Sequence, residues 1–326
     1  MQQNWRPDVL GAGFEQLDLP LGTDSEGEVL ATLVRHRPMP RWRALLGRLN
    51  LRDVDVLYVH GWNDYFFQTE LAEHFTARGA RFFALDLRKY GRSIRPWQTP
   101  GYIENLADYD ADIEAALTAM RSNGRRIFLL GHSTGGLVFT LWANRNPGRI
   151  DALILNSPWL ETQGSTIARM LMAPVLKARA KVNATAKLPS VDLGYYSRSI
   201  DKARDGEWDF NHDWRPERGF LAKSAWGAAI IAGHTQVAAG LSIDVPVLTL
   251  LSKRSLISLI WSEEMLRSDI VLVVDDIARR ALKLGETVTV VRLDGAIHDV
   301  FLSAKPVRDE AYRQLDRWLD GYAVTQ

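Results

Sequence analysis

The chain has no cysteine among its 326 residues. That excludes disulfides, thiolate metal sites and a cysteine nucleophile, and it fits a reducing compartment, so the expected location is cytoplasmic. There is no excess of either charge. Forty Lys and Arg stand against 39 Asp and Glu, leaving a formal net charge of +1. So small a net charge gives no reason to expect a nucleic-acid partner or an acidic membrane surface. The N-terminal MQQNWRPDVLGAGFEQLDL lacks a basic stretch followed by an apolar one, so no secretory leader is expected. No run approaches the ~18 apolar residues of a membrane span, so no transmembrane segment is expected. No P-loop or G-x-G-x-x-G stands in a suitable setting, and no His pair or carboxylate cluster has metal-ligand spacing. No metal and no organic cofactor is therefore expected.

What is present is an ordinary globular composition, 46% hydrophobic and 24% charged, with eleven tryptophans that argue for thick packing or large apolar pockets. Residues 14–21 and 29–36, joined by Gly22-Thr23-Asp24-Ser25-Glu26-Gly27, read as a hairpin. Buried strands are then predicted over 54–59, 80–87, 126–130 and 150–155, with helical spacing over 66–78, 105–122 and 137–144 between them. This alternation predicts an α/β fold with a mostly parallel central sheet flanked by helices. It stops at Ser157-Pro158. Roughly eighty residues without a clear buried strand follow, far beyond an ordinary loop of about 4–6 residues. They hold helical patches at 167–178 and 220–232 and an aromatic, charged stretch at 208–214. Strands resume at 245–250 and 287–293, and a helix over 307–322 closes the chain. The expected organisation is a core in two parts, 1–157 and 244–326, with an inserted helical cap or lid at 158–243; the alternative is a separate second domain.

Gly131-His132-Ser133-Thr134-Gly135 lies directly after the 126–130 strand and directly before a helical pattern. This is the G-x-S-x-G nucleophile elbow in its required strand–turn–helix setting. The tight turn needs Gly131 and Gly135, and it holds Ser133 in a strained conformation with its hydroxyl projecting above the sheet. The following helix N-terminus favours negative charge there. His60-Gly61-Trp62 follows the 54–59 strand. An acyl-transfer site needs two donors for its oxyanion, and the N–H groups of Thr134 and Trp62 are the candidates. Gly61 would let that backbone come close, and His60 is expected to brace the loop.

Three segments together, His60-Gly61, Leu85-Asp86-Leu87-Arg88-Lys89-Tyr90-Gly91-Arg92-Ser93 and the elbow, resemble the α/β-hydrolase superfamily. Within it the chain looks like the monoacylglycerol lipase and lysophospholipase group, also called serine-aminopeptidase-like hydrolases. The second segment has Lys89-Tyr90 where a Gly-His pair is usual, so that match is partial. The resemblance implies a catalytic base on the loop after the last strand, which is His298, and an acid soon after the strand at 245–250. No acid stands there; Ser252-Lys253-Arg254-Ser255 leads into the apolar Leu256-Ile257-Ser258-Leu259-Ile260-Trp261. Residues 253–267 are read as an insertion and Asp269 as the acid, giving the chain order Ser133, Asp269, His298 that the fold uses. Asp275 and Asp276 are rivals and Glu161 a remote alternative. The insertion either packs on the body or reaches over the site. Pocket candidates are His60, Gly61, Tyr65 and Trp261; Tyr65-Phe66-Phe67 could equally be core.

The expected function is hydrolysis of carboxylic esters with small to medium acyl or aryl groups, monoglyceride- or lysolipid-like, through an acyl-enzyme. The partner is thus a small-molecule ester. The same residues could serve acyl transfer, perhydrolysis, C–C cleavage or hydroxynitrile lysis, or the scaffold could bind a small molecule without catalysis. A serine at the elbow argues against the dehalogenase and epoxide hydrolase chemistries, which use an aspartate there. The basic patch Arg35-His36-Arg37 with Arg41-Trp42-Arg43 is short and isolated, and is read as a solvated loop rather than a nucleic-acid site. Sequence leaves the oligomeric state open.

Overall fold

The structure, a computed structural model, describes residues 3–38, 50–162, 166–189 and 192–323. The basic triplet Arg41-Trp42-Arg43 lies outside the described residues. Its companion is structural: Arg35 pairs with Glu15 at 2.6 Å and lies over the Trp5 ring, while His36 stacks on Phe14.

The chain opens with three antiparallel strands, β1 (Arg6–Pro7), β2 (Phe14–Asp24) and β3 (Gly27–His36). Strand–helix alternation follows: β4 (Val54–Val59), α1 (Thr69–Ala77), β5 (Arg81–Asp86), α2 (Asp110–Met120), β6 (Arg126–His132), α3 (Thr134–Arg145) and β7 (Ala152–Asn156). Next come three helices, α4 (Thr166–Val182), α5 (Tyr195–Ile200) and α6 (Ser224–Ala239), and then β8 (Val247–Ser252), α7 (Val274–Ala281), β9 (Val288–Leu293) and α8 (Lys305–Trp318). The strands form one sheet in the order β1-β2-β3-β5-β4-β6-β7-β8-β9, parallel from β5 to β9.

The central strands are buried on both faces, which is why they read as largely apolar runs: VDVLYV in β4 and ALILN in β7 are buried at every residue. Their side chains alternate between two cores. Val56 and Tyr58 join Leu71 and Phe75 of α1 and Leu315 and Trp318 of α8 on one face. Leu57 and Val59 join Ile113 of α2, Leu137 of α3, Ile230 of α6 and Ile277 of α7 on the other. The two-residue period of a strand thus builds a three-layer molecule.

Two predicted helices begin late. Residues 66–68 stay outside the helix, with the N–H of Phe66 donating to Asp86 Oδ1 at 2.9 Å. The 105–122 helix starts as a 3₁₀ turn, Leu106–Tyr109, fixed by an Asn105–Asp108 capping box. Between β7 and β8 the described residues contribute no strand to the sheet.

Candidate active site

Ser133 directly follows β6 and caps the start of α3, with φ 50° and ψ −115°. A non-glycine residue in this region is strained, and the surroundings hold it there. Its N–H donates to Asn156 O at 3.0 Å, and its carbonyl accepts from Trp159 N at 2.9 Å. The flanking glycines have no room for a side chain: a Cβ on Gly131 would lie 2.7 Å from Gly135 O, and one on Gly135 would lie 2.6 Å from Val59 O. Gly61 packs equally near, its hypothetical Cβ 3.0 Å from Ser133 Cβ.

His298 Nε2 lies 3.0 Å from Ser133 Oγ, and His298 Nδ1 lies 3.0 Å from Asp269 Oδ2. A carboxylate only accepts, so Nδ1–H donates to Asp269 and Nε2 is left to accept from the serine hydroxyl. Asp269 is fully buried, and its Oδ1 takes the N–H groups of Val271 and Leu272, each at 2.8 Å.

The late position of Asp269 in the chain has a simple geometric explanation. The chain leaves β8, pairs Ser255 beside Asp269 in a short parallel bridge, and closes it with Leu256 N to Asp269 O (2.8 Å) and Asp269 N to Arg254 O (2.9 Å). The residues between form a loop outside that bridge, so Asp269 sits where a residue directly after β8 would sit. The rivals point elsewhere: Asp275 pairs with Arg292, Asp276 with Arg279 and Glu161 with Arg280.

The histidine loop is tied from behind by a group that the sequence did not single out. Buried Asp299 accepts from Asn156 Nδ2 at 2.6 Å and from Gln68 Nε2 at 3.2 Å. No motif marks Asn156 or Gln68; only adjacency to His298 could have flagged Asp299. Nearby His132 donates toward Asn156 O at 3.1 Å, and burial pushes its pKa down to about 4, so it stays neutral beside His298.

These residues open into a cavity of about 730 Å³. Gly61, Trp62, Ser133, Thr134 and His298 line it. The N–H of Thr134, at the first turn of α3, has no acceptor within the helix. The pocket candidates divide. Gly61 reaches the cavity, whereas His60, Tyr65 and Trp261 do not line it. His60 is buried behind the loop, with Nδ1 at 2.7 Å from Gly61 O and Nε2 accepting from Leu87 N. Burial, opposed by Asp86, lowers its pKa. Tyr65 packs with Phe67 and Trp214, and its hydroxyl accepts from Asn211 N. Trp261 is held outside by the Arg198 guanidinium, 4.0 Å above its ring. Ile257 and Leu259 of the same loop do line the cavity. Sequence analysis missed most of the wall, including Trp159, Phe220 and Trp226, because these residues follow no motif.

The parallel sheet, the serine at the elbow and the Ser–His–Asp line define an α/β-hydrolase. The chain belongs to the serine aminopeptidase, S33 family, whose pattern matches residues 52–255. It is similar to the AB hydrolase superfamily protein YisY of Bacillus subtilis, 34% identical over 105 residues, covering 31% of this chain and 37% of that protein. Phospholipase YtpA of the same organism is 33% identical over 111 residues, covering 33% and 41%. The chain thus matches well under half the length of these curated relatives. Among solved structures, a soluble variant of monoglyceride lipase from Saccharomyces cerevisiae, bound to a substrate analogue, has a TM-score of 0.62 at 16% identity, covering 98% of this chain and 94% of that one. At that identity the likeness shows the fold.

Proposed function

We propose that this protein hydrolyses carboxylic esters through an acyl-enzyme on Ser133. The observation that carries the reading is the hydrogen-bonded line Ser133–His298–Asp269 opening into a large, mainly apolar cavity. In the first half-reaction Ser133 Oγ attacks the ester carbonyl while His298 Nε2 takes its proton. The Trp62 and Thr134 N–H groups stabilise the oxyanion. His298 then gives the proton to the leaving alkoxide, and water repeats the cycle on the acyl-enzyme. Asp269 holds the imidazole tautomer and stabilises the imidazolium.

Apolar side chains suit an acyl or aryl group. Trp159, Phe220, Trp226, Leu272 and the loop residues Ile257 and Leu259 supply them. The names of two similar proteins, a phospholipase and a monoglyceride lipase, support lipid-like monoesters as the substrate class. Residues 158–243 would act as the cap: Phe220 and Trp226 pack edge-on and tilted against Trp62 and line the same cavity as Ser133. A fluorophosphonate probe and a p-nitrophenyl ester test the reading together. Wild type should be labelled and should turn over the ester, and Ser133→Ala should do neither. Unlabelled wild type, or turnover that survives Ser133→Ala, sinks it.

A further inference from the structure

β7 reads Ala152-Leu153-Ile154-Leu155-Asn156, four apolar residues and then an amide, and Asn156 is as fully buried as the residues before it. A polar side chain at the end of a buried strand is costly unless it is bonded, and an apolar residue would fill the place without that cost. What the amide does is join two parts of the chain. The main-chain carbonyl of Asn156 accepts the N–H of Ser133 at 3.0 Å and the Nδ1–H of His132 at 3.1 Å. Its side chain turns to the histidine loop, where Oδ1 accepts the N–H of Val300 at 3.1 Å and Nδ2 donates to Asp299 Oδ1 at 2.6 Å. The serine turn thus hangs on the backbone of Asn156 and the histidine loop on its side chain.

Asp299 is placed to receive that amide. Its carboxylate is fully buried and also accepts from Gln68 Nε2 at 3.2 Å and from the N–H of Phe301 at 3.0 Å. Gln68 is held in turn, its Oε1 accepting the N–H of Phe67 at 3.0 Å. All three partners of Asp299 are donors, which is what a charged carboxylate needs. A bond to a charged acceptor is roughly twice as strong as a neutral one. Neither Asn156 nor Asp299 lines the cavity. Ser133 and His298 are 165 positions apart in the chain, yet Oγ and Nε2 stand 3.0 Å apart, within the range that proton transfer requires. A misplacement of about 1 Å at such a contact costs about 10²-fold in rate.

We propose that Asn156 and Asp299 form a positioning pair that sets the separation of Ser133 Oγ and His298 Nε2, so that this buried bond governs the chemical step and leaves substrate binding alone. The pair deepens the ester-hydrolase reading and rests on it. Its members lie 143 positions apart, at the end of β7 and in the loop after β9, so the bond spans the long segment between β7 and β8.

The test measures p-nitrophenyl butyrate hydrolysis and the rate of fluorophosphonate labelling in the full chain, with kcat counted per labelled serine. Asn156→Asp sets two carboxylates against each other. Asp299→Asn removes the charge and turns an amide donor toward the donors around it. The double variant exchanges the two groups and restores an amide facing a carboxylate. Asn156→Asp should lose about 10²-fold in kcat and in labelling rate, and Asp299→Asn about tenfold, both with KM unchanged. The double variant should be about tenfold faster than Asn156→Asp, because the two positions are coupled. A merely structural pair would lower the melting temperature while kcat per labelled serine stayed at the wild-type value. That result overturns the proposal, as does a double variant no faster than Asn156→Asp. If Asn156→Asp does not fold, Asp299→Asn and Gln68→Met decide: kcat falling severalfold in both with KM unchanged supports the pair, and wild-type kcat in either overturns it. Wild type that is labelled at Ser133 but turns over no ester removes the ester-hydrolase reading, and the labelling rates still judge the pair.

Discussion

The floor of the cavity and its roof are built on different physics. The floor is backbone: Ser133 is held by main-chain hydrogen bonds to Asn156 and Trp159, by glycines with no space for a Cβ, and by strands buried on both faces. The roof is side chains. Phe220 and Trp226 come from the segment between β7 and β8, and Ile257 and Leu259 come from the loop that precedes Asp269. Leu259 is 72% exposed although it lines the cavity. Under the proposed ester hydrolysis, the floor would fix which atoms react and the roof which molecules arrive. Changes to the floor should therefore abolish turnover, and changes to the roof should redistribute it among substrates.

The largest effects fall on the hydrogen-bonded line. Ser133→Ala or His298→Ala should lower kcat by on the order of 10⁵–10⁶-fold, and the double variant should be no worse, because the two groups act as a unit. Asp269→Asn should cost less, about 10³–10⁴-fold, since the amide can donate to Nδ1 and favour the wrong imidazole tautomer. Steady-state kinetics on a p-nitrophenyl ester measures all three. If Asp269→Asn keeps wild-type kcat, another acid serves His298. Gly135→Ala breaks the floor another way. Its Cβ would press on Val59 O and on His60 O, both backbone atoms that cannot swing aside. A denaturant melt should show a loss of about 1–3 kcal/mol, and turnover should fall with it because the elbow moves.

On the roof the expectation is milder and selective. Leu259→Ser removes apolar surface from the wall without touching a hydrogen bond of the Ser–His–Asp line. For octanoate esters kcat/KM should fall about tenfold, while acetate esters, too short to use that wall, should hold their rate. An equal loss on both chain lengths would make the loop part of the floor.

The same division governs what could be read in the sequence. Floor residues were legible because backbone strain and close approach leave only certain residue types: glycine at 131 and 135, a serine between them, and a histidine beyond the last strand. The candidate acid, Asp269, could be picked out only through chain order, because the loop before it breaks the usual spacing; the Ser255–Asp269 bridge beside it is a tertiary fact. Trp261 was expected among the pocket candidates, at the end of the apolar 256–261 stretch. It stacks under Arg198 instead, while the smaller Ile257 and Leu259, both largely exposed, line the cavity. Side-chain direction in an irregular loop has no period to betray it. Nothing local marked Arg215 or Tyr196, since their neighbours Asp64 and His298 lie far away in the chain.

The smallest expected effect concerns Asp64, in the loop after β4, where it meets Arg215. Burial pushes its pKa up to about 7 from 3.8, against the pull of Arg215 and with the help of Asp299. A carboxyl with a raised pKa binds its proton in the folded state at a pH where the unfolded chain has released it. Between about pH 4 and 7 the native state therefore carries more protons than the unfolded state, and stability falls as pH rises through that window. Asp64→Asn removes the titrating group. Its stability should change less with pH over this window than that of wild type, and the two curves should run parallel above it. Melting temperatures measured from pH 4 to pH 8 give the slope directly. Parallel curves throughout would mean that Arg215 holds Asp64 charged across the range, and the pair would then act as a fixed ion pair at every working pH.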